Sequence, residues 1–217
     1  MGAILESFFK AFIRHTLKRG LRGIFMKGTL QEGPVLLVSN HHSWWDGYVL
    51  GELCWAHHHP VSLLMLHEQL QKYPFLKSVG AVSHHHLREA LGRLKADHAL
   101  IVFPEGALNP AGLVQNLRPG VQWFAHHANC AVVPLALRVV LRGHQHPEAF
   151  VLLGAPCSPD QVQENLNLLI SELDGMLSTS DPERPLAGYH SIMRGVGSDS
   201  ERLNLASVLL KKLLRLQ

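Results

Sequence analysis

Cysteine is scarce in this chain and falls in no pattern. Cys54, Cys130 and Cys157 are odd in number, widely spaced and form no Cys-x-x-Cys pair. That argues against a disulfide framework and for a reduced, cytosolic setting in which the thiols act as small core residues. Long apolar runs are also missing: no stretch of about 18 apolar residues occurs, so no membrane-spanning helix is expected. Glu6, Lys10 and Arg14 interrupt any signal-peptide core, and Glu6 stands where a myristoylation pattern needs Ser or Thr, so neither is expected. Charge is sparse as well. Only 17% of residues are Asp, Glu, Lys or Arg, and a net +3 is too little to argue for nucleic acid as a partner. What is there is a 47% hydrophobic fraction over 217 residues, enough to bury a core, and sixteen histidines.

Short apolar runs alternate with helical patterns. Strands are expected at 35–39, 61–66, 79–83, 99–103, 131–140 and 149–153, with Pro134 suggesting an edge or a bulge. Helical segments are expected at 47–56, 86–97, 121–128 and from Ser158 to Leu177, with a short helix or turn around Pro74. Arg19 to Gly28 reads as the exit from a first helix, Thr179 to Asp199 as a loop, and Arg202 to Leu216 as a Leu-rich helix that either packs or anchors to a surface. The alternation predicts an α/β fold: a single layered domain with a mixed, mostly parallel sheet flanked by helices and preceded by an N-terminal amphipathic helix. Residues 3–19 carry Ile4, Leu5, Phe8, Phe9, Phe12, Ile13 and Leu17 at helical steps, with Lys10, Arg14, Lys18 and Arg19 around them. Such a helix can lie in a membrane interface or pack on the sheet. The expected division is 1–19 as a membrane-surface helix and 20–217 as the main domain.

Two strand-like runs deliver titratable groups at their carboxyl ends, the edge at which open α/β sheets place their crevices. Val35-Leu36-Leu37-Val38 leads into Asn40-His41-His42-Ser43-Trp44-Trp45-Asp46. In one ideal helix His41 and Asp46 would lie roughly 140° apart. With His41 in the turn and Asp46 in the first helical turn, the imidazole can fold back. Asp46 would then hold the Nδ1 proton, leaving Nε2 to take a proton from a hydroxyl. Ser43-x-x-Asp46 is equally a capping-box-like pattern, with His41 an ordinary turn residue. No strained elbow surrounds Ser43, so a serine nucleophile is not expected.

Leu100-Ile101-Val102-Phe103 leads into Pro104-Glu105-Gly106. Gly106 allows close approach of a ligand or backbone. Glu105 either accepts hydrogen bonds from substrate hydroxyls or is a solvated strand-exit residue. Arg118-Pro119-Gly120 precedes a helix and is a candidate anion site or a surface ion-pair partner. His57 to His59, His84 to His86 and His126-His127 are tandem clusters whose side chains diverge, so no metal site is expected. His86, near a strand end, is a candidate substrate-binding residue.

Taken together, these residues resemble the glycerolipid acyltransferase family that includes bacterial lysophosphatidate acyltransferases. The family's Asn-His-x-x-x-x-Asp motif is matched by Asn40 to Asp46, and its Phe-Pro-Glu-Gly motif by Phe103 to Gly106. Val133-Pro134-Leu135 fits its last block, and Arg118 with Gly120 fits a basic residue and Gly ahead of a helix. The likeness covers roughly residues 20–155. It implies an acyl-CoA or acyl-ACP cosubstrate, no other cofactor, His41 and Asp46 as catalytic residues, and no acyl-enzyme. It further implies that Glu105, Gly106, Arg118, Ser43 and His86 bind substrate, that residues 20–217 are the acyltransferase domain, and that the protein sits at the cytoplasmic face of a membrane, peripheral or monotopic.

Two departures concern the acceptor. The family continues Glu-Gly-Thr-Arg-Ser, whereas here Glu105-Gly106 is followed by Ala107-Leu108-Asn109. An earlier block that ends in Arg is here Gly80-Ala81-Val82-Ser83 followed by His84-His85-His86. A dianion buried without a cation is costly. Either Arg118, Arg88 and protonated histidines hold the phosphate of a lysophospholipid, or the acceptor is a non-phosphate lipid alcohol such as a glycosylated carotenoid or aminolipid. A non-catalytic lipid-binding scaffold is the third reading.

Overall fold

In the computed structural model, residues 2–198, 210, 212 and 213 are described. The expected helix at 202–216 therefore lies almost wholly outside the described residues. The chain runs α1 (Gly2–Gly20), β1 (Gly23–Lys27), β2 (Val35–Ser39), α2 (Asp46–Ala56), β3 (Val61–Met65), α3 (His67–Lys72), β4 (Ala81–Ser83), α4 (Leu87–Lys95), β5 (Ala99–Val102), α5 (Gly120–Ala128), β6 (Ala131–Val140), β7 (Glu148–Leu153), α6 (Val162–Thr179) and β8 (His190–Arg194). The strands form one sheet in the order β4-β3-β5-β2-β6-β7-β1-β8. Among the described strands, only the β6–β7 and β1–β8 pairs are antiparallel. The fold is thus the α/β, mostly parallel sheet flanked by helices that the alternation predicts.

Strand β2 is central and buried along its length. Its side chains alternate between faces. Val35 and Leu37 pack with Val49, Leu50 and Leu53 of α2. Leu36 and Val38 pack with Val121 and Phe124 of α5 on the other face. The chain leaving β2 therefore turns to one side of the sheet, and the helix that follows β5 lies on the opposite side. β2 and β5 are parallel neighbours, paired Val35↔Ala99 to Val38↔Val102. Diverging connections at two adjacent strand ends are where open α/β sheets place ligand crevices.

Three local expectations are corrected. Gly23–Lys27, read as a helix exit, is β1, parallel to β7; Gly23, Lys27 and the nearby cations disguise a strand of which only three residues are buried. His190–Arg194, read as loop, is the edge strand β8, with only Met193 buried. Its polar, charged face suits an edge and hides the alternation that marks a strand. Pro134 marks neither an edge strand nor a bulge. It lies in β6, an interior strand, opposite Val38 on one side. On the other side it is one residue past the end of the β6–β7 ladder, where its carbonyl accepts from Gly154 N–H at 2.9 Å. The reciprocal bond, which Pro cannot make, would fall beyond the ladder.

Helix α1 carries more apolar surface than the domain covers. At roughly 100° per residue, Ile13 and Leu17 fall on one stripe and Ile4, Phe8 and Phe12 on another. The first stripe is buried: Ile13 and Leu17 join the core, and a Cβ on Gly20 would overlap the Trp45 ring. The second is exposed, with Phe8 62% and Phe12 52% accessible. Phe9, between them, stacks on Phe75 with centroids 5.0 Å apart. Replacing Leu17 with Ala is expected to lower stability by about 2–5 kcal/mol, while Phe8→Ala shifts it by less than about 0.5 kcal/mol. Urea unfolding of both variants checks this, and equal losses would contradict the division of α1 into two stripes.

Candidate active site

The site begins with an amide that imitates a peptide. The β2–β6 ladder ends at Ser39↔Leu135, although β6 runs on to Val140. Asn40, buried, fills the next rung with its side chain. Its Oδ1 accepts from Leu137 N–H at 2.9 Å, and its Nδ2 donates to Leu137 O at 3.0 Å. The turn that leaves β2 is thereby fixed to the strand beside it.

Within that turn, Asp46 is fully buried, and one of its oxygens, Oδ2, collects three donors. These are His41 Nδ1 at 2.9 Å, His42 N–H at 2.7 Å and Ser43 N–H at 2.8 Å. An ionised carboxylate only accepts. The imidazole proton is therefore assigned to Nδ1, which leaves Nε2 with a free lone pair. The His41 side chain is 23% exposed and stacks on Phe103, with centroids 4.2 Å apart and planes 17° apart. The capping contact and the His41 contact share one oxygen of Asp46. The Ser43 N–H bond to Asp46 is the reciprocal half of a capping box. The Ser43 hydroxyl, however, accepts from Trp45 N–H at 3.3 Å rather than from Asp46.

The loop after β5 holds His41 by its backbone. Glu105 Oε1 accepts from His41 N–H at 2.9 Å, Glu105 Oε2 accepts from Asn109 Nδ2 at 2.9 Å, and Asn109 N–H donates to His41 O at 2.9 Å. Both oxygens of Glu105 thus have protein partners, and the carboxylate acts on the histidine's position. Asn109 joins this clamp, a role that nothing in the sequence singles out. Gly106 has φ +72°, and a Cβ there would overlap the Arg118 guanidinium. Arg118 donates its N–H to Pro104 O at 2.8 Å, and its exposed side chain lies over Gly106 with no acidic partner among the described residues. The structure therefore brings together His41, Asp46, Ser43, Glu105, Gly106 and Arg118.

His86 stands apart. It follows β4, three strands along the sheet from β2, or about 14 Å at the usual strand spacing. Its side chain is exposed, with Nδ1 3.7 Å from Glu89 Oε2. It borders a cavity of 240 Å³ shared with His67, Ser83, Lys77 and Arg93. His67 donates its N–H to His84 Nδ1 at 3.0 Å and stacks on His85 at 4.7 Å. Among the described residues, no group of three or more His, Cys, Asp or Glu has the arrangement to hold a metal ion.

His42 packs behind the site. Its Nε2 lies 3.1 Å from Leu137 O and 3.4 Å from Val139 N. Burial lowers its pKa from the ordinary 6.5, only partly offset by Asp46; nearby Arg138 lowers it further. Arg138 is itself buried and held by both oxygens of Asp174 on α6, at 2.7 and 2.8 Å.

Comparison with known proteins bears on the same residues. A family model described as Acyltransferase matches residues 24–138, which contain every member of this site. The fold matches the crystal structure of the 1-acyl-sn-glycerophosphate (LPA) acyltransferase, PlsC, from Thermotoga maritima. The TM-score is 0.57 at 19% identity, over 80% of this chain and 79% of that one. No curated protein matches the sequence.

Two outcomes follow from the geometry. Asn40→Asp puts a carboxylate oxygen against Leu137 O in place of a donor, and is expected to cost about 1–3 kcal/mol of stability in thermal or urea unfolding. An unchanged midpoint would contradict the side-chain rung. Because the folded pKa of His42 is depressed, the unfolded chain binds the extra proton first as pH falls. His42 thus contributes stability fully above pH 6.5, and that stability is lost as pH drops toward its folded value. His42→Gln is expected to flatten the stability–pH slope below that point, and an unaltered slope would refute the assignment.

Proposed function

As a member of the acyltransferase family, this chain, we propose, moves a fatty acyl group from an acyl-CoA or acyl-ACP thioester to a hydroxyl of a lysophospholipid or related lipid. The observation that carries this reading is the His41–Asp46 pair, its Nδ1 side bonded to a buried carboxylate and its Nε2 side free. In the proposed step Nε2 takes the acceptor's hydroxyl proton as the oxygen attacks the thioester carbonyl. The tetrahedral intermediate collapses, the C–S bond breaks, and the imidazolium returns the proton to the leaving thiolate. Asp46 stabilises the charged ring and fixes its tautomer. No enzyme nucleophile is needed. Glu105 and Asn109 act through the His41 backbone, and Ser43 through Asp46.

A lipid acceptor is supported by the exposed stripe of Ile4, Phe8 and Phe12 on α1, a surface suited to the interfacial region of a bilayer. No helix among the described residues is long and apolar enough to cross a membrane. The protein named as a neighbour in fold acts on 1-acyl-sn-glycerophosphate, which supports a lysophospholipid. Arg118, without an acidic partner beside Gly106, is the cation we assign to its phosphate. A second reading, a lipid alcohol without phosphate, is favoured by Ala107-Leu108-Asn109. Leu108 is 55% exposed there, and the Asn109 amide is engaged by Glu105.

Thiol release from acyl-CoA with a panel of acceptors tests both readings. His41→Ala is expected to abolish turnover with an unchanged circular-dichroism spectrum, and Asp46→Asn to reduce it by about two to four orders of magnitude. A fully active His41→Ala protein would refute the mechanism. Turnover with lysophosphatidate that is lost in Arg118→Ala supports the phosphate role, whereas turnover confined to uncharged alcohols selects the second reading.

A further inference from the structure

The chain between β5 and α5 forms no helix or strand, yet its two ends meet. Pro104 O accepts from Arg118 N–H at 2.8 Å, and the Arg118 side chain lies over Gly106. A stretch of this length closed at its neck is an Ω-loop, a shape often found at functional sites. Its first branch holds the His41 backbone through Glu105 and Asn109. From Gly106 to Leu117 the loop carries no charged residue, so no ion pair fixes it. Its position depends on neutral hydrogen bonds and on what it buries.

The second branch is docked on α6 and β6. Val114 is buried and packs with Leu166, Ile170 and Leu173. Its N–H donates to Asn167 Oδ1 at 2.8 Å, and Asn167 Nδ2 donates to Val114 O at 3.2 Å. Asn167 does for this loop what Asn40 does for the turn after β2: one amide takes both backbone groups of one residue. Nearby, Arg138 Nη2 donates to Gly112 O at 3.3 Å, and Asp174 fixes the guanidinium. Asn167 and Asp174 are about two turns apart on α6 and so share a face. The same guanidinium donates through Nη1 to Leu137 O at 3.3 Å, the carbonyl that Asn40 Nδ2 also bonds. The loop after β5 and the turn after β2 are therefore referenced to one buried arginine.

We propose that Asn167 and Arg138 are positioning residues for acyl transfer. They dock the loop from Pro104 to Arg118 on α6 and β6, and so set where the acceptor lies against His41. The assignment rests on the acyl-transfer reading above and adds a part for α6. The His41 ring keeps its own holds in Asp46 and Phe103. A loosened loop therefore weakens the placement of the acceptor by Arg118 more than it weakens proton transfer.

Amide hydrogen exchange followed by NMR tests the dock without reference to turnover. The Asn109 N–H bonds at His41, and the Arg118 N–H bonds at the neck of the loop. In Asn167→Ala both are expected to exchange about ten-fold faster, with a smaller change at Leu37 inside β2. Asn165→Ala is the control on the same helix, where Asn165 Nδ2 donates to Gln161 O, and should exchange as wild type. Rates at Asn109 and Arg118 that rise no more than at Leu37 would overturn the proposal, as would an equal rise in the control. In the acyl-CoA assay, Asn167→Ala is expected to raise the acceptor KM about ten-fold, with donor KM and kcat within about two-fold of wild type. A merely structural role would lower kcat and leave both KM values alone, and that result would also overturn it. Arg138→Met should act in the same direction in both measurements, and wild-type values there would remove Arg138 from the dock. If exchange behaves as expected while even the wild type consumes no thioester, the acyl-transfer reading fails and only the docking of the loop survives.

Discussion

The structure turns on one buried oxygen. Oδ2 of Asp46 is where the turn after β2, the start of α2 and the ring of His41 converge. Two of its three donors are backbone groups, so the carboxylate shapes the turn by the same contacts that orient the imidazole. An apolar side chain there would release the ring and also leave the His42 and Ser43 N–H groups without this acceptor.

Around that oxygen, the fold supplies rigidity from both flanks of β2. On one side Asn40 adds a rung to the sheet against Leu137 of β6. On the other, Glu105 and Asn109 from the β5 loop take both backbone groups of His41. The histidine is thus held at its main chain by β5, at its ring by Asp46 and on one ring face by Phe103. Its Nε2 edge is the part that no described residue bonds. The helices following β2 and β5 lie on opposite faces of the sheet, the arrangement beside which open α/β sheets place their ligand crevices.

Much of this was legible in the sequence. The strands at β2, β5, β6 and β7 announced themselves as apolar runs, and His41 with Asp46 stood at a strand end with workable spacing. β1 and β8 did not announce themselves. Their residues are partly exposed, short in run and mixed with glycine and charge, so pairing rather than local preference makes them strands. The part played by Asn109 was invisible for a related reason: it depends on two loops meeting across a parallel pair. Glu105 stood out in the sequence as a carboxylate at a strand end, but its two protein partners did not. Helix α1 had its periodicity right, yet periodicity cannot say which part of a wide apolar arc the domain will cover. Leu17 and Phe8 look alike in sequence and lie on opposite sides of that boundary.

The claim that Asp46 holds the Nδ1 proton of His41, and so frees Nε2, is open to direct measurement. In ¹⁵N-labelled protein at neutral pH, the His41 ring, identified by loss of its signals in His41→Gln, should show a protonated Nδ1 and an unprotonated Nε2. The same ring in Asp46→Asn should relax toward the commoner Nε2-protonated form. A wild-type His41 ring already protonated at Nε2 alone would contradict the account.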